Sequence, residues 1–171
     1  MIDILMTART VLKTTPGRWI ELADSLPPQL MKEPPALNEW SALECLQHLI
    51  DAERFVFPVR VKALLAGQDF PAYHPDREGA PLNDERLPAD LAGEFLALRA
   101  ESLKLLDSVR DGDLARQARH QELGNVSLSE LLHEWAGHDL MHTIQAERAL
   151  MQPFIRGCGP WQIYFKDHWV E

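Results

Sequence analysis

The chain has 171 residues, 46% hydrophobic and 25% charged, with a net charge of −9. Those proportions belong to a globular protein and exclude a disordered chain. The acidic balance excludes general nucleic-acid binding, which needs a basic surface to displace phosphate counterions, and disfavours anionic membranes. No apolar run approaches the roughly 20 residues needed to cross a bilayer. The opening MIDILMTARTVLK lacks the basic region and cleavage site of a secretory signal. Cys45 and Cys158 stand outside any CxxC spacing. The expectation is a single cytoplasmic domain over residues 1–171, with no disulfide framework and with Cys45 as a small buried residue.

Four main helices are expected. The first spans roughly Ile2 to Ala23, with Pro16 either starting a fresh stretch or kinking a continuous one. Pro27, Pro28, Pro34 and Pro35 then predict an extended connection. Ser41 and Glu44 form a capping-box pattern that opens the second helix, which runs to Leu65. Leu43, Leu46, Ile50, Phe57 and Val61 mark its apolar side, and Pro58 should kink it. A loop from Gly67 to Pro88 follows. The third helix runs from about Ala89 to Val109, with Leu91, Phe95, Leu98, Leu103 and Leu106 on the buried side. A second capping box, Ser127 with Glu130, opens the fourth, which is expected to stop near Met151 before Pro153. Alternating patterns are nearly absent, so no substantial sheet is expected. Helices of this kind pack as an all-α bundle. The aromatic tail with Phe154, Trp161, Tyr164, Phe165 and Trp169 should pack across the bundle or against a second subunit.

The chemistry concentrates in the fourth helix. His138 and His142, four residues apart, lie about 40° apart around a helix axis and about 6 Å along it, close enough to bind one metal ion. Glu134, Met141 and Gln145 share their stripe. If the stripe faces solvent, the pair is merely hydrated; if it faces the interior, burying that polarity needs a reason, and a metal supplies one. The neighbouring HEWAGH is not the HExxH of zinc proteases. Its histidines, His133 and His138, are five apart and about 140° around the helix, so they do not share an ion, and His133 is expected at the surface. His48, in the second helix, is the candidate third donor.

The segment from Trp40 to Glu53, a tryptophan and serine followed by a glutamate, a histidine and an acidic pair, resembles the second-helix signature of the DinB/YfiT-like superfamily. Leu131 to Arg148, with His138-Asp139-Leu140-Met141-His142 followed by Gln145 and Glu147, resembles that family's fourth-helix signature. Leu123 to Leu128 and Gly159-Pro160-Trp161 are similar too, so the likeness covers most of the chain. It implies an up-down-down-up four-helix bundle, usually a homodimer, and one divalent metal, zinc or nickel, on His48, His138 and His142. The family commonly has histidine beside the tryptophan where this chain has Glu134. That carboxylate either orients a ligand and accepts a proton as a catalytic base, or is an exposed glutamate. Asp51 and Glu53 are either acceptors behind the ligands or helix-surface charges; Trp40 and Trp135 are packing or pocket walls.

Three neutral imidazoles leave the charge of a divalent ion uncompensated, which favours acidifying a water or a thiol. The expected activity is metal-dependent hydrolysis or thiol S-transfer on a small molecule, with a low-molecular-weight thiol as a possible partner. The competing readings are a non-catalytic metal-binding or stress-response helical dimer and a purely structural dimer.

Overall fold

Asp3 opens the first helix, its carboxylate accepting the Met6 N–H at 3.0 Å. In the computed structural model, which describes residues 3–74, 79 and 85–170, that helix (α1) runs Ile4–Ser25. Pro16 sits inside it without a restart, flanked by buried Thr15 and Trp19. Ile2, at the expected start of the first helix, and residues 75–78 and 80–84 of the expected loop from Gly67 to Pro88 lie outside the described residues.

The proline-rich connection is not wholly extended. Pro28 occupies the first turn of a short helix (α2, Pro28–Lys32), where a missing N–H costs nothing. The second main helix begins with the expected capping box: Glu44 N–H donates to Ser41 Oγ at 3.2 Å and Ser41 N–H to Glu44 Oε2 at 2.7 Å. It consists of α3 (Ala42–Asp51), a wide π turn (Ala52–Val56) and α4 (Phe57–Ala66). The π turn, closed by Phe57 N–H donating to the Ala52 carbonyl, meets the Pro58 ring and takes up the irregularity that proline demands. Gly67, at φ 66°, ends α4.

The third main helix (α5) is Pro88–Leu106. It stops short of Val109 because Ser108 and Val109 turn back onto the Leu105 and Leu106 carbonyls at 3.1 and 3.2 Å. Two short strands follow, β1 (Gln117–His120) and β2 (Gly124–Ser127), paired antiparallel. This hairpin was not expected. Each strand has only four residues, too few to show a period, and Gly124 at φ 79° supplies the left-handed position that its tight turn needs. Phe70 bridges to His120 alongside it. The last helix (α6) runs Leu128–Gly157, through Pro153 rather than stopping before it. A 3₁₀ segment, Gly159–His168, then folds back, its His168 carbonyl accepting from Gln152 at 2.9 Å and from Arg148 at 3.2 Å.

The helix directions follow from side-chain pairs. Thr15 bonds Asp139 and Arg18 bonds Glu147, so α1 and α6 run parallel. Arg9 pairs with Asp107 and Arg99 reaches the Leu12 carbonyl, so α1 and α5 are antiparallel. His48 meets His142 while Phe57 stacks on Trp135, so α3–α4 opposes α6. The result is the up-down-down-up four-helix bundle that the resemblance implies. α1 packs on α5 and α6, and α3 packs on the same two, so the first and second main helices face each other across the bundle.

The interior has two apolar clusters. One gathers Leu12, Phe57, Val61, Leu64, Leu132 and Trp135; the other gathers Trp19, Leu43, Leu46, Ile50, Phe95 and Leu150. Arg99, with 1% of its side chain exposed, lies in the polar layer of the interior. It donates to Asp139 at 2.7 and 2.8 Å and to Glu53 at 2.8 Å. Ser102 Oγ and Trp135 Nε1 donate to Glu53 at 2.5 and 3.0 Å. Burial works against the guanidinium charge, but the two carboxylates win and hold its pKa above the ordinary value.

Candidate metal centre

α3 and α6 deliver three imidazoles to one point. His48 and His138 are half-buried and His142 is buried, and a nitrogen from each lies within 4.8 Å of the others. The ring centroids are 4.4 Å apart for His48–His142 and for His138–His142, and 5.0 Å apart for His48–His138. The i,i+4 spacing on α6 therefore points inward, as required of a ligand pair.

The donor chemistry fits a transition-metal ion. Nδ1 of His142 lies 2.8 Å from Gln145 Oε1; an amide oxygen only accepts, so Nδ1 carries the proton and Nε2 keeps its lone pair. Nε2 of His48 and Nε2 of His138 confront each other at 3.0 Å, while the buried Nδ1 of His138 has no hydrogen-bond partner among the described residues. A buried polar atom left unsatisfied is costly and characteristic of a functional site. Ligating imidazoles sit about 2.0–2.1 Å from such an ion, hence roughly 3–3.5 Å from one another; the His48 and His138 Nε2 atoms, at 3.0 Å, already have that spacing. Burial, then the neighbouring His142 and His48, push the His138 pKa down to about 3. Burial also lowers that of His142, against Gln145 and Asp139. Both rings are thus neutral, as ligands must be.

Trp40 forms one wall, stacked on His142 at 5.8 Å and tilted against His48 at 5.1 Å. Phe57 meets His138 edge-on at 5.1 Å. The histidines open into a cleft of about 520 Å³ that is also lined by Arg60, His120, Glu122, Glu134 and Met141. Were His48, His138 and His142 to hold an ion, this opening would leave it accessible to water or substrate, unlike the closed four-ligand shell of a structural zinc.

The other candidates fall in different places. Glu134 lines this cleft with its side chain 51% exposed, 3.9 Å from Arg60. Asp51 and Glu53 are buried rather than surface charges. Asp51 accepts from Gln47 at 3.2 Å, and Glu53 bonds Arg99 and Trp135. Trp135 is a packing residue, stacked on Phe57 at 5.1 Å. His133 is exposed, with Nδ1 2.8 Å from the Ser129 carbonyl, and takes no part. Cys45 is buried and its thiol is pushed up to about 12 by that burial, so it is inert. Arg60 and His120 were missed. Arg60 sits among apolar residues of α4, and His120 reaches the cleft only because the hairpin carries it there.

Comparison with known proteins agrees with this architecture. The DinB superfamily profile matches residues 12–146. Two Bacillus proteins provisionally named metal-dependent hydrolases are similar in sequence. One from Bacillus mycoides (strain KBAB4) is 24% identical, covering 78% of this chain and 84% of its own. One from Bacillus cereus (strain B4264) is 27% identical, covering 73% and 79%. The solved structure of YfiT from Bacillus subtilis, described as a probable metal-dependent hydrolase with an unusual four-helix bundle topology, superposes with a TM-score of 0.74 at 17% identity over 90% of each chain. At that identity the likeness establishes the fold alone. With the profile spanning most of the chain, the bundle shared and three histidines gathered between its second and fourth main helices, this protein belongs to the DinB superfamily.

Proposed function

We propose that the cleft is the active site of a metal-dependent enzyme that acts on a small molecule by hydrolysis or thiol S-transfer. His48, His138 and His142 hold one divalent ion, zinc or nickel. The observation that carries this reading is the convergence of three imidazole nitrogens within 4.8 Å at an open cleft; the names of the Bacillus relatives favour the hydrolytic branch. A bound ion would supply Lewis acidity, acidifying a water or thiol and polarising an acceptor oxygen.

The chain's own residues do the rest. Gln145 fixes the tautomer of His142. Trp40 and Phe57 hold the rings in orientation and limit water. Glu134 is the base that takes the nucleophile's proton: it lines the cleft, half exposed, 3.9 Å from Arg60.

The homodimer rests on exposed apolar side chains along α6 and the tail, among them Ile144, Phe154, Trp161 and Tyr164, each at least 65% exposed. A cytoplasmic setting is supported by two free cysteines. Among the described residues no helix is long and apolar enough to cross a membrane.

The test is a turnover screen. Metal-loaded protein is incubated with activated esters and amides, and separately with low-molecular-weight thiols plus an electrophilic acceptor, with His138→Ala as control. Product formation lost in His138→Ala is expected, and Glu134→Gln should slow it by about 10²–10⁴-fold. No turnover of any substrate would favour a metal-binding protein without catalysis.

A further inference from the structure

The cleft contains a second polar group that the metal set does not use. His120, 6% exposed, accepts the Glu122 and Leu123 N–H groups on Nδ1 at 3.1 and 3.2 Å. Two backbone donors on one nitrogen require a lone pair there, so the ring proton sits on Nε2. That Nε2 lies 3.3 Å from an Arg60 guanidinium nitrogen (Nη2). A guanidinium has donors and no acceptor, so two donors face each other at hydrogen-bonding distance with nothing between them to accept. The other terminal nitrogen of Arg60 (Nη1) faces Glu134, but at 3.9 Å, and that carboxylate is half in solvent. The Phe70 ring under the guanidinium, 5.6 Å from its carbon to the ring centroid, holds it in place without supplying an acceptor in the plane.

Charge tells the same story. Burial lowers the Arg60 pKa against the pull of Glu134. Burial, then Arg60, lowers that of His120 against Glu122 and Glu134. For both donors the nearby carboxylates fail to offset burial.

We propose that Arg60 and His120 form an oxyanion-binding locus that receives a carboxylate or phosphate group of the substrate in the cleft shared with His48, His138 and His142. One oxygen accepting from both Arg60 Nη2 and His120 Nε2 satisfies both donors at once. The inference rests on reading the cleft as a small-molecule active site and adds to it the substrate's charge: the substrate is a small anion, recognised by local positive charge inside a chain of net charge −9. Glu134 then competes with the anion for Arg60, and an arriving substrate releases that carboxylate toward the reacting group.

The experiment uses the full chain, metal-stripped and labelled with ¹⁵N-histidine. It is titrated separately with inorganic phosphate and with acetate while the His120 ring resonances are followed. A saturable shift of His120 is expected, and the anion that saturates at lower concentration identifies the class. Arg60→Gln should weaken binding about tenfold or more, the loss of one charge-assisted hydrogen bond. Arg60 is buried, so a second variant guards against misfolding: Glu134→Gln, at a half-exposed position, should tighten binding roughly threefold by removing the competitor. No saturable shift with either anion, or identical titrations in wild type, Arg60→Gln and Glu134→Gln, would overturn the proposal. Because no metal is present, that result would leave the three-histidine centre standing; failure of the centre would appear in metal content and not in these titrations.

Discussion

His138 touches both halves of the chemistry. One nitrogen confronts His48, the other is buried with no hydrogen-bond partner among the described residues, and burial first of all pushes its pKa down to about 3. An imidazole in the unfolded chain titrates near 6.5, so between those values the unfolded state binds more protons than the folded one. In metal-stripped protein the resulting stability is full above about pH 6.5 and is lost as pH falls toward about 3. Urea unfolding across that range should show the dependence flattening in His138→Gln relative to wild type; superimposable profiles would show the ring to be freely hydrated. The histidines were readable in the sequence because i,i+4 spacing has only one geometric meaning on a helix. Glu53 was readable only as an open choice between an acceptor behind the ligands and a surface charge; its actual partner, Arg99, comes from a distant helix. His120 gave no periodic signal at all.

Secondary-structure elements meet at Arg99. From α5 its guanidinium reaches the Leu12 carbonyl and Thr15 on α1, Glu53 in the π turn and Asp139 on α6. Asp139 adjoins His138, so the same contacts fix the rotation of α6 that turns its histidines inward. Arg99→Met would strand two buried carboxylates and should cost about 3–5 kcal/mol in urea unfolding; a loss under 1 kcal/mol would mean that water already reaches the layer. The existence of the main helices was evident from their capping boxes and apolar spacing. Their interruptions were not. Proline chemistry predicted a kink at Pro58 but not the π turn that absorbs it, and predicted an end before Pro153 where α6 continues, because one lost hydrogen bond is small against the packing of buried Ile155 and Gln152.

The assembled bundle owes its site to topology. Because α3–α4 runs against α6, His48, near the start of one, meets His142, in the middle of the other, and Phe57 meets Trp135 further along. Direction and neighbourhood came from the family resemblance and not from periodicity, which fixes faces but not partners. The decisive measurement is elemental analysis of protein purified without a histidine tag, beside a His48→Ala/His138→Ala/His142→Ala variant confirmed as folded by circular dichroism. One divalent transition-metal ion per chain in the wild type and none in the variant is the predicted result. Equal metal content in the two, or a wild type that takes up no ion from added zinc or nickel, would contradict it.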